Sequence, residues 1–313
     1  LPGVNYTAAD PFGAYEWAVN INIRGFQKDQ LGYTLDGVPL GDMSYGNYNG
    51  LHISRAIISE NLGRVELAQG AASLSTASTS NLGGALTFFS RKPSDTFGGE
   101  IALTGGDENM FRGYARLESG AIDAIGGGKA SISYAKQEMD KWKGDGPQKL
   151  EQFNISFEQP IGPGTLSGFY DWSERRETDY QDLSLEMIGR LGSGWDNFAT
   201  NWTLAQQVAD IANNRGDTGA PVTNAAAGTT YPAPITSVDD AYYDASGLRD
   251  DTLARLTYDW DVTSDFSVSA TAYIHENEGQ GTWYTPYVSP FQFGQGGPNV
   301  SPISVRTTEY DMN

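Results

Sequence analysis

The stretch Phe266-Ser267-Val268-Ser269-Ala270-Thr271-Ala272-Tyr273-Ile274 alternates without a break. Phe266, Val268, Ala270, Ala272 and Ile274 share one face; Ser267, Ser269, Thr271 and Tyr273 share the other. A period of two is that of a pleated strand. The pattern recurs upstream. In Thr165–Ser173, Leu166, Gly168, Tyr170 and Trp172 oppose Thr165, Ser167, Phe169, Asp171 and Ser173. Ala254, Leu256, Tyr258 and Trp260 alternate with Leu253, Arg255, Thr257 and Asp259. Weaker versions occupy Glu100–Thr104, Gly113–Ser119, Lys129–Lys136 and Phe153–Glu158, and Arg306–Asn313 opens a further strand. The chain is therefore expected to be mainly β, with about seven or eight antiparallel strands after Phe97.

Alternation alone says that one face is dry, and a soluble sandwich gives the same pattern. Two features favour a wall in lipid. Aromatics gather at strand ends (Trp142, Tyr170, Trp172, Tyr258, Trp260), as interfacial girdles require. Connections also tend to alternate in length: Pro160–Gly164 and Val262–Asp265 are tight, whereas Arg175–Leu248 and Asn277–Val305 are long. The connections near Gly105–Met110 and Gly120–Gly128 depart from that rule. The long loops, near 175–248 and 277–305, carry many aromatics; they either grip a sugar or metal chelate, or pack on themselves. Leu204, Val208 and Ile211 predict a short helix in the first.

Composition removes other classes. A net charge of −19 over 313 residues argues against nucleic acid as a partner, which needs clustered Lys and Arg. The absence of Cys excludes disulfides and thiolate metal sites. No run approaches the ~20 apolar residues of a membrane helix, but a membrane strand needs only about 9–11 residues with one apolar face. The chain opens Leu1-Pro2-Gly3-Val4 with no basic and apolar leader, so processing or truncation is expected to have removed its start.

Residues 1–93 differ. Short runs at Val19–Arg24, Tyr33–Leu35, Arg64–Leu67 and Ala85–Ser90, separated by glycine turns and by a helical stretch near Ile53–Asn61, predict a small mixed α/β unit. Within it lie Asn22-Ile23-Arg24-Gly25-Phe26, Leu35-Asp36-Gly37-Val38-Pro39-Leu40, Arg64-Val65-Glu66-Leu67-Ala68-Gln69-Gly70, Asn81-Leu82-Gly83-Gly84-Ala85-Leu86 and Arg91-Lys92-Pro93. In that order and spacing they closely resemble the plug domain of TonB-dependent outer-membrane receptors.

The resemblance implies a plug (1–93, lacking its N-terminal part) followed by the N-terminal part of a transmembrane β-barrel (94–313). It implies residence in the bacterial outer membrane and active import of a scarce solute, a ferric siderophore or an oligosaccharide, with no enzymatic activity and no cofactor. The implied partners are outer-membrane lipid, that small-molecule ligand, and a TonB-type energy-coupling protein acting through a segment missing here. By position the apical plug residues for ligand contact are Tyr45, Asn47, Tyr48, Asn49, Ser78 and Thr79, with stacking faces and hydrogen-bonding groups; Asn49-Gly50 is equally a turn dipeptide. In this family the arginine of the Ile-Arg-Gly block faces acidic groups on the wall, which assigns an ionic plug–barrel contact to Arg24. The sequence departs from the family at Gln69, where a basic residue is common, and at Leu74–Asn81, where a Leu-Tyr-Gly run is frequent.

Geometry supplies an independent expectation. A plug of ~90 residues has a radius of gyration near 12 Å and a spherical radius of roughly 16 Å. A barrel around it needs about 18–20 strands at ~4.8 Å spacing and ~40° tilt, close to the 22-stranded plugged transporters. The strands read here are too few to enclose it, so the chain is expected to be a piece of a larger barrel.

Other chemistry is weakly signalled. His52 and His275 are far apart in sequence, so each is expected to be structural or superficial and no metal site is assigned. Gly126-Gly127-Gly128-Lys129-Ala130 lacks the spacing of a phosphate loop. Asp239-Asp240 and Asp250-Asp251 offer oxygens to Ca²⁺, though solvated loop acids are commoner. The rivals are a passive porin-like barrel, which leaves the plug blocks unexplained, and a secreted all-β glycan-binding protein or hydrolase, which would be soluble without detergent.

Overall fold

The computed structural model describes residues 3–41, 51–70, 76–78, 81–197, 201–217, 222, 224–240, 245–285 and 304–311, with side chains placed through residue 281. The N-terminal unit pairs β1 (Val4–Thr7) with β2 (Asn20–Ile23). Beside this ribbon lies a four-stranded sheet of β3 (Gly32–Leu35), β4 (Val38–Pro39), β5 (Leu62–Gln69) and β6 (Gly84–Ser90), in the order β4-β3-β6-β5. β3 and β6 run parallel, which demands the long crossover that contains the short helix α1 (Ile53–Ala56). The expected helix near Ile53–Asn61 is thus one helical turn followed by a separate 3₁₀ turn at Ser59–Asn61. Ile23, Leu31, Tyr33, Leu35, Val38 and Leu86 form the core of this unit.

The second unit is a meander of eight antiparallel strands: β7 (Phe97–Gly105), β8 (Phe111–Ser119), β9 (Lys129–Asp140), β10 (Pro147–Ile161), β11 (Gly164–Thr178), β12 (Ala245–Thr263), β13 (Phe266–Thr285) and β14 (Ser304–Asp311). Neighbours in sequence are neighbours in the sheet, and among the described residues it stays open, with β7 and β14 at its edges. Every expected strand is present, and most run several residues beyond the alternating stretch, because their outer ends carry charged pairs such as Lys149–Glu138 and Arg176–Glu174 on the same face.

Register fixes which face is which. One rung runs Ala102, Tyr114, Ala135, Gln152, Ser173, Asp251, Asn277, and all of it faces the N-terminal unit. Gln152 is 1% exposed, Ser173 0% and Asp251 2%, whereas Phe97, Ile101 and Leu103 on the opposite face are 74%, 77% and 71% exposed. Ile132, Ile155, Tyr170, Leu256 and Ile274 continue that apolar outer band. Polar inside and apolar outside is the inverse of a soluble sandwich and the pattern of a transmembrane barrel.

The connection between β11 and β12 folds by itself. Ser184 caps α2 (Leu185–Leu191) and Asn201 caps α3 (Trp202–Arg215), the helix expected from Leu204, Val208 and Ile211. Val208, Ile211 and Ala212 pack on Tyr231, Ile235 and Val238. Asp240 closes the unit: its carboxylate takes both Arg190 Nη atoms (2.7 and 2.8 Å) and the backbone N–H of Thr236 and Ser237. The aromatic loop residues here, Trp195 and Tyr231, therefore pack on their own subdomain, the second of the two readings above.

Candidate functional site

The two units meet through a chain of buried charges. Glu16 stands in a 3₁₀ turn after β1, and α1 packs against β11 and β12, so Arg55 projects from α1 toward the wall. Arg55 Nε donates to Glu16 Oε1 at 3.0 Å and Nη1 donates to Asp251 Oδ2 of β12 at 2.6 Å. Asp251 Oδ1 also accepts from Asn277 at 2.6 Å and lies 3.2 Å from His275 Nε2. From β11, Arg175 Nη1 donates to the carbonyl of Ala14 (2.9 Å) and to Glu177 Oε1 (3.0 Å), while Nε lies 3.4 Å from Glu16 Oε2. Glu177 in turn accepts from the backbone N–H of Glu16. His52 caps α1 by accepting from Ser54 N–H, and Ser54 Oγ donates to Glu16 Oε2 at 2.7 Å.

Charge balance explains the cluster. Burial alone would raise the Glu16 carboxyl, but Arg55 and Arg175, with the Ser54 hydroxyl, pull it well below the ordinary carboxylate range, so it is ionised at neutral pH. Burial pushes His52 down to about 4 against the pull of Glu16. The imidazole is therefore neutral at pH 7, and its 3.5 Å approach to Glu16 is not an ion pair there. Arg55 is buried yet held charged by Glu16 and Asp251.

A second polar layer joins the 3₁₀ turn at Ser59–Asn61 to β8 and β9. Asn61 accepts from Tyr114 Oη (2.7 Å) and Arg116 (2.9 Å) and donates to Ser133 (2.8 Å), and Arg112 forks onto Glu60. Apolar contact across the interface is supplied by Phe169 and Leu253, which enter the core of the first unit. At the rim, Tyr15 meets the Tyr180 ring edge-on at 5.1 Å, Tyr180 stacks on Trp142 at 5.9 Å, and Lys141 is fully buried against Asp196 at 2.5 Å. Burial pushes the Tyr180 hydroxyl up to about 12.

The residues expected to matter fall differently. Tyr45, Asn47, Tyr48, Asn49 and Thr79 lie outside the described residues. Ser78 sits against β3, so close that a Cβ at Gly32 would fall 2.5 Å from its hydroxyl. Arg24 is exposed in a tight turn (φ 53°) bridged by Ile23 and Phe26, and makes no ion pair among the described residues. Between the units stands Arg55, and the wall adds Arg175. The two histidines, distant in sequence, stand at opposite ends of one chain of contacts, His52–Glu16–Arg55–Asp251–His275. No group of three or more His, Asp or Glu among the described residues is placed to hold a metal ion.

A small α/β unit thus covers the polar face of an open antiparallel β-wall whose other face is apolar and bare. Residues 1–85 match the family model described as TonB-dependent Receptor Plug Domain. The fold of the whole chain matches the alcaligin outer-membrane receptor FauA from Bordetella pertussis (14% identity, TM-score 0.55, 91% of this chain and 36% of that one). It also matches the ferric yersiniabactin uptake receptor FyuA from Yersinia pestis (15%, 0.57, 91% and 39%) and the ferric-catecholate import receptor Fiu from E. coli K12 in its open form (13%, 0.57, 99% and 40%). A sequence search of curated proteins found no match. Residues 1–85 are thus similar to the plug domain of TonB-dependent receptors, the fold of the chain is similar to part of these outer-membrane receptors, and the chain spans about 36–40% of their length.

Proposed function

We propose that the chain is the plug (1–93) and first wall strands (94–313) of a receptor that actively imports a scarce solute, a ferric siderophore or an oligosaccharide, across the outer membrane. The observation that carries this is the character of the plug–wall interface. An interface of ion pairs and amide or hydroxyl contacts can be separated and rehydrated, whereas an apolar one would cost about 25 cal/mol for each Å² exposed. Arg55, Arg175, Asn61 and Arg112 give the plug a hold of the first kind. In this reading the plug loop with Tyr45, Asn47, Tyr48 and Asn49, together with Ser78 and Thr79, meets the ligand, and a TonB-type coupler moves the plug. Arg24 is then left for wall strands beyond the eight described.

The matched receptors are named for ferric yersiniabactin uptake and ferric-catecholate import, which favours an iron chelate over an oligosaccharide. The whole receptor, expressed in an outer membrane with and without the energy coupler, should take up a labelled ferric siderophore or oligosaccharide only when the coupler is present. Uptake that survives loss of the coupler would establish the passive porin reading instead.

A further inference from the structure

Below Phe169, between the end of the plug sheet and the turn-bearing ends of β10–β12, lies a cavity of about 520 Å³. The tight turns mark this as the periplasmic end. Its charged lining comprises Arg64, Arg91, Lys92 and Arg255 against Asp36, Glu158 and Asp259. Three of the four cations are engaged: Lys92 with Glu158 (2.7 Å), Arg91 with Glu100 (2.7 Å), and Arg64 with Glu66 (3.1 Å) while stacked on Phe89. Arg255 differs. Its Nε is buried without a hydrogen-bond partner, and its nearest carboxylate, Asp36, is 4.0 Å away. Asp36 is itself committed, accepting Ser90 N–H at 3.0 Å and Ser90 Oγ at 2.5 Å. Asp259, the remaining acid, is exposed.

A guanidinium fork seeks two parallel acceptors, and leaving its donors unmet in a confined space is costly. We propose that this cavity binds a small soluble oxyanion, a carboxylate or phosphate group, with Arg255 as its principal ligand. The occupant comes from the aqueous side, because the cavity is lined by the plug and by side chains of the polar wall face, Ser156, Glu158, Ser167 and Arg255. The site stands whether or not the chain belongs to an importer.

The test uses the full chain in detergent at constant ionic strength. Succinate and inorganic phosphate are titrated separately by calorimetry against a chloride control, and protection of Arg255 from phenylglyoxal is read by peptide mass spectrometry. One or both oxyanions should bind and shield Arg255; Arg255→Gln should weaken binding by about tenfold or more, and Arg255→Lys by less. The arm that binds tells carboxylate from phosphate. Heats no larger than those of chloride, an unprotected Arg255, or an unchanged affinity in Arg255→Gln would each overturn the site. Should Arg255→Gln fail to fold, the protection measurement on the unaltered protein decides alone.

Discussion

Arg55 bears the largest single burden, because it neutralises carboxylates from both units at once. Replacing it with Met leaves Glu16 and Asp251 buried without their main cation, which costs about 3–5 kcal/mol. Urea unfolding and protease resistance of the plug should both report that loss; Arg55→Lys, which keeps the charge but not the fork, should fall between. Acid should act on the same cluster in two windows. His52 titrates near 4 when folded against an ordinary 6.5, so between those values the unfolded chain binds a proton that the folded one refuses, and the contribution of this group to stability is lost as pH falls, by up to about 3 kcal/mol. Glu16, depressed in the folded state, stabilises above 4.5 and adds its own loss below it. Unfolding of His52→Asn measured from pH 7 to 4 should be flatter across the first window and keep the second; an unchanged slope would remove His52 as the cause. None of this was legible in the sequence. Glu16 and Arg55 are separated by 39 positions and Arg55 and Asp251 by 196, so only the fold unites them. The resemblance pointed at Arg24, which is exposed in a two-residue turn and makes no ion pair among the described residues.

Elements were read more successfully than residues, for a physical reason. Each wall strand has one face in lipid, and that face must be apolar whatever the other touches, so the period-two signal survives. The same signal faded at strand ends: β12 begins at Ala245 and β13 ends at Thr285, beyond the alternating stretches, because Arg249, Asp250 and Asp251, and Glu276, Asn277 and Glu278 opposite them, put polar residues on both faces. In the plug, β4 has two residues and β1 lies in a polar run, too short for a period to show. The loop subdomain was visible only through α3; its closure by Asp240 and Arg190 joins residues 50 apart. Asp240→Ala should therefore open that unit, losing two backbone caps and the Arg190 fork. Limited proteolysis should then cut within 185–240, while the strand signal in circular dichroism stays. A loop held by its aromatics alone would show no new cleavage. Within the plug, Gly84 sits at φ +132° with its Cα so near Ala68 that a Cβ would lie 2.5 Å from the Ala68 carbonyl oxygen. That contact pins β5 to β6, a constraint no local pattern announces.

At the scale of the molecule, the decisive property is which side of the wall is wet. Period-two alternation left that open, since a polar lumen and bulk water write the same residues on a strand; what closed it was the plug covering the polar side while the apolar side stayed bare. Ile155, on the bare side between Phe153 and Phe157 of β10, turns this into a measurement. Arg placed there should cost about 2–4 kcal/mol near the bilayer midplane, because its charge must leave water or thin the membrane around it. On a soluble sandwich the same half-exposed position would accept Arg within roughly 0.5 kcal/mol. Folding of the chain into lipid vesicles, titrated with urea, should therefore be strongly weakened by Ile155→Arg, whereas Leu166→Arg, on the same face but close to the tight turn after β10, should matter much less. Equal tolerance of the two substitutions, or a protein that stays monodisperse without detergent, would mean that the apolar band faces water and that the wall is not a membrane wall.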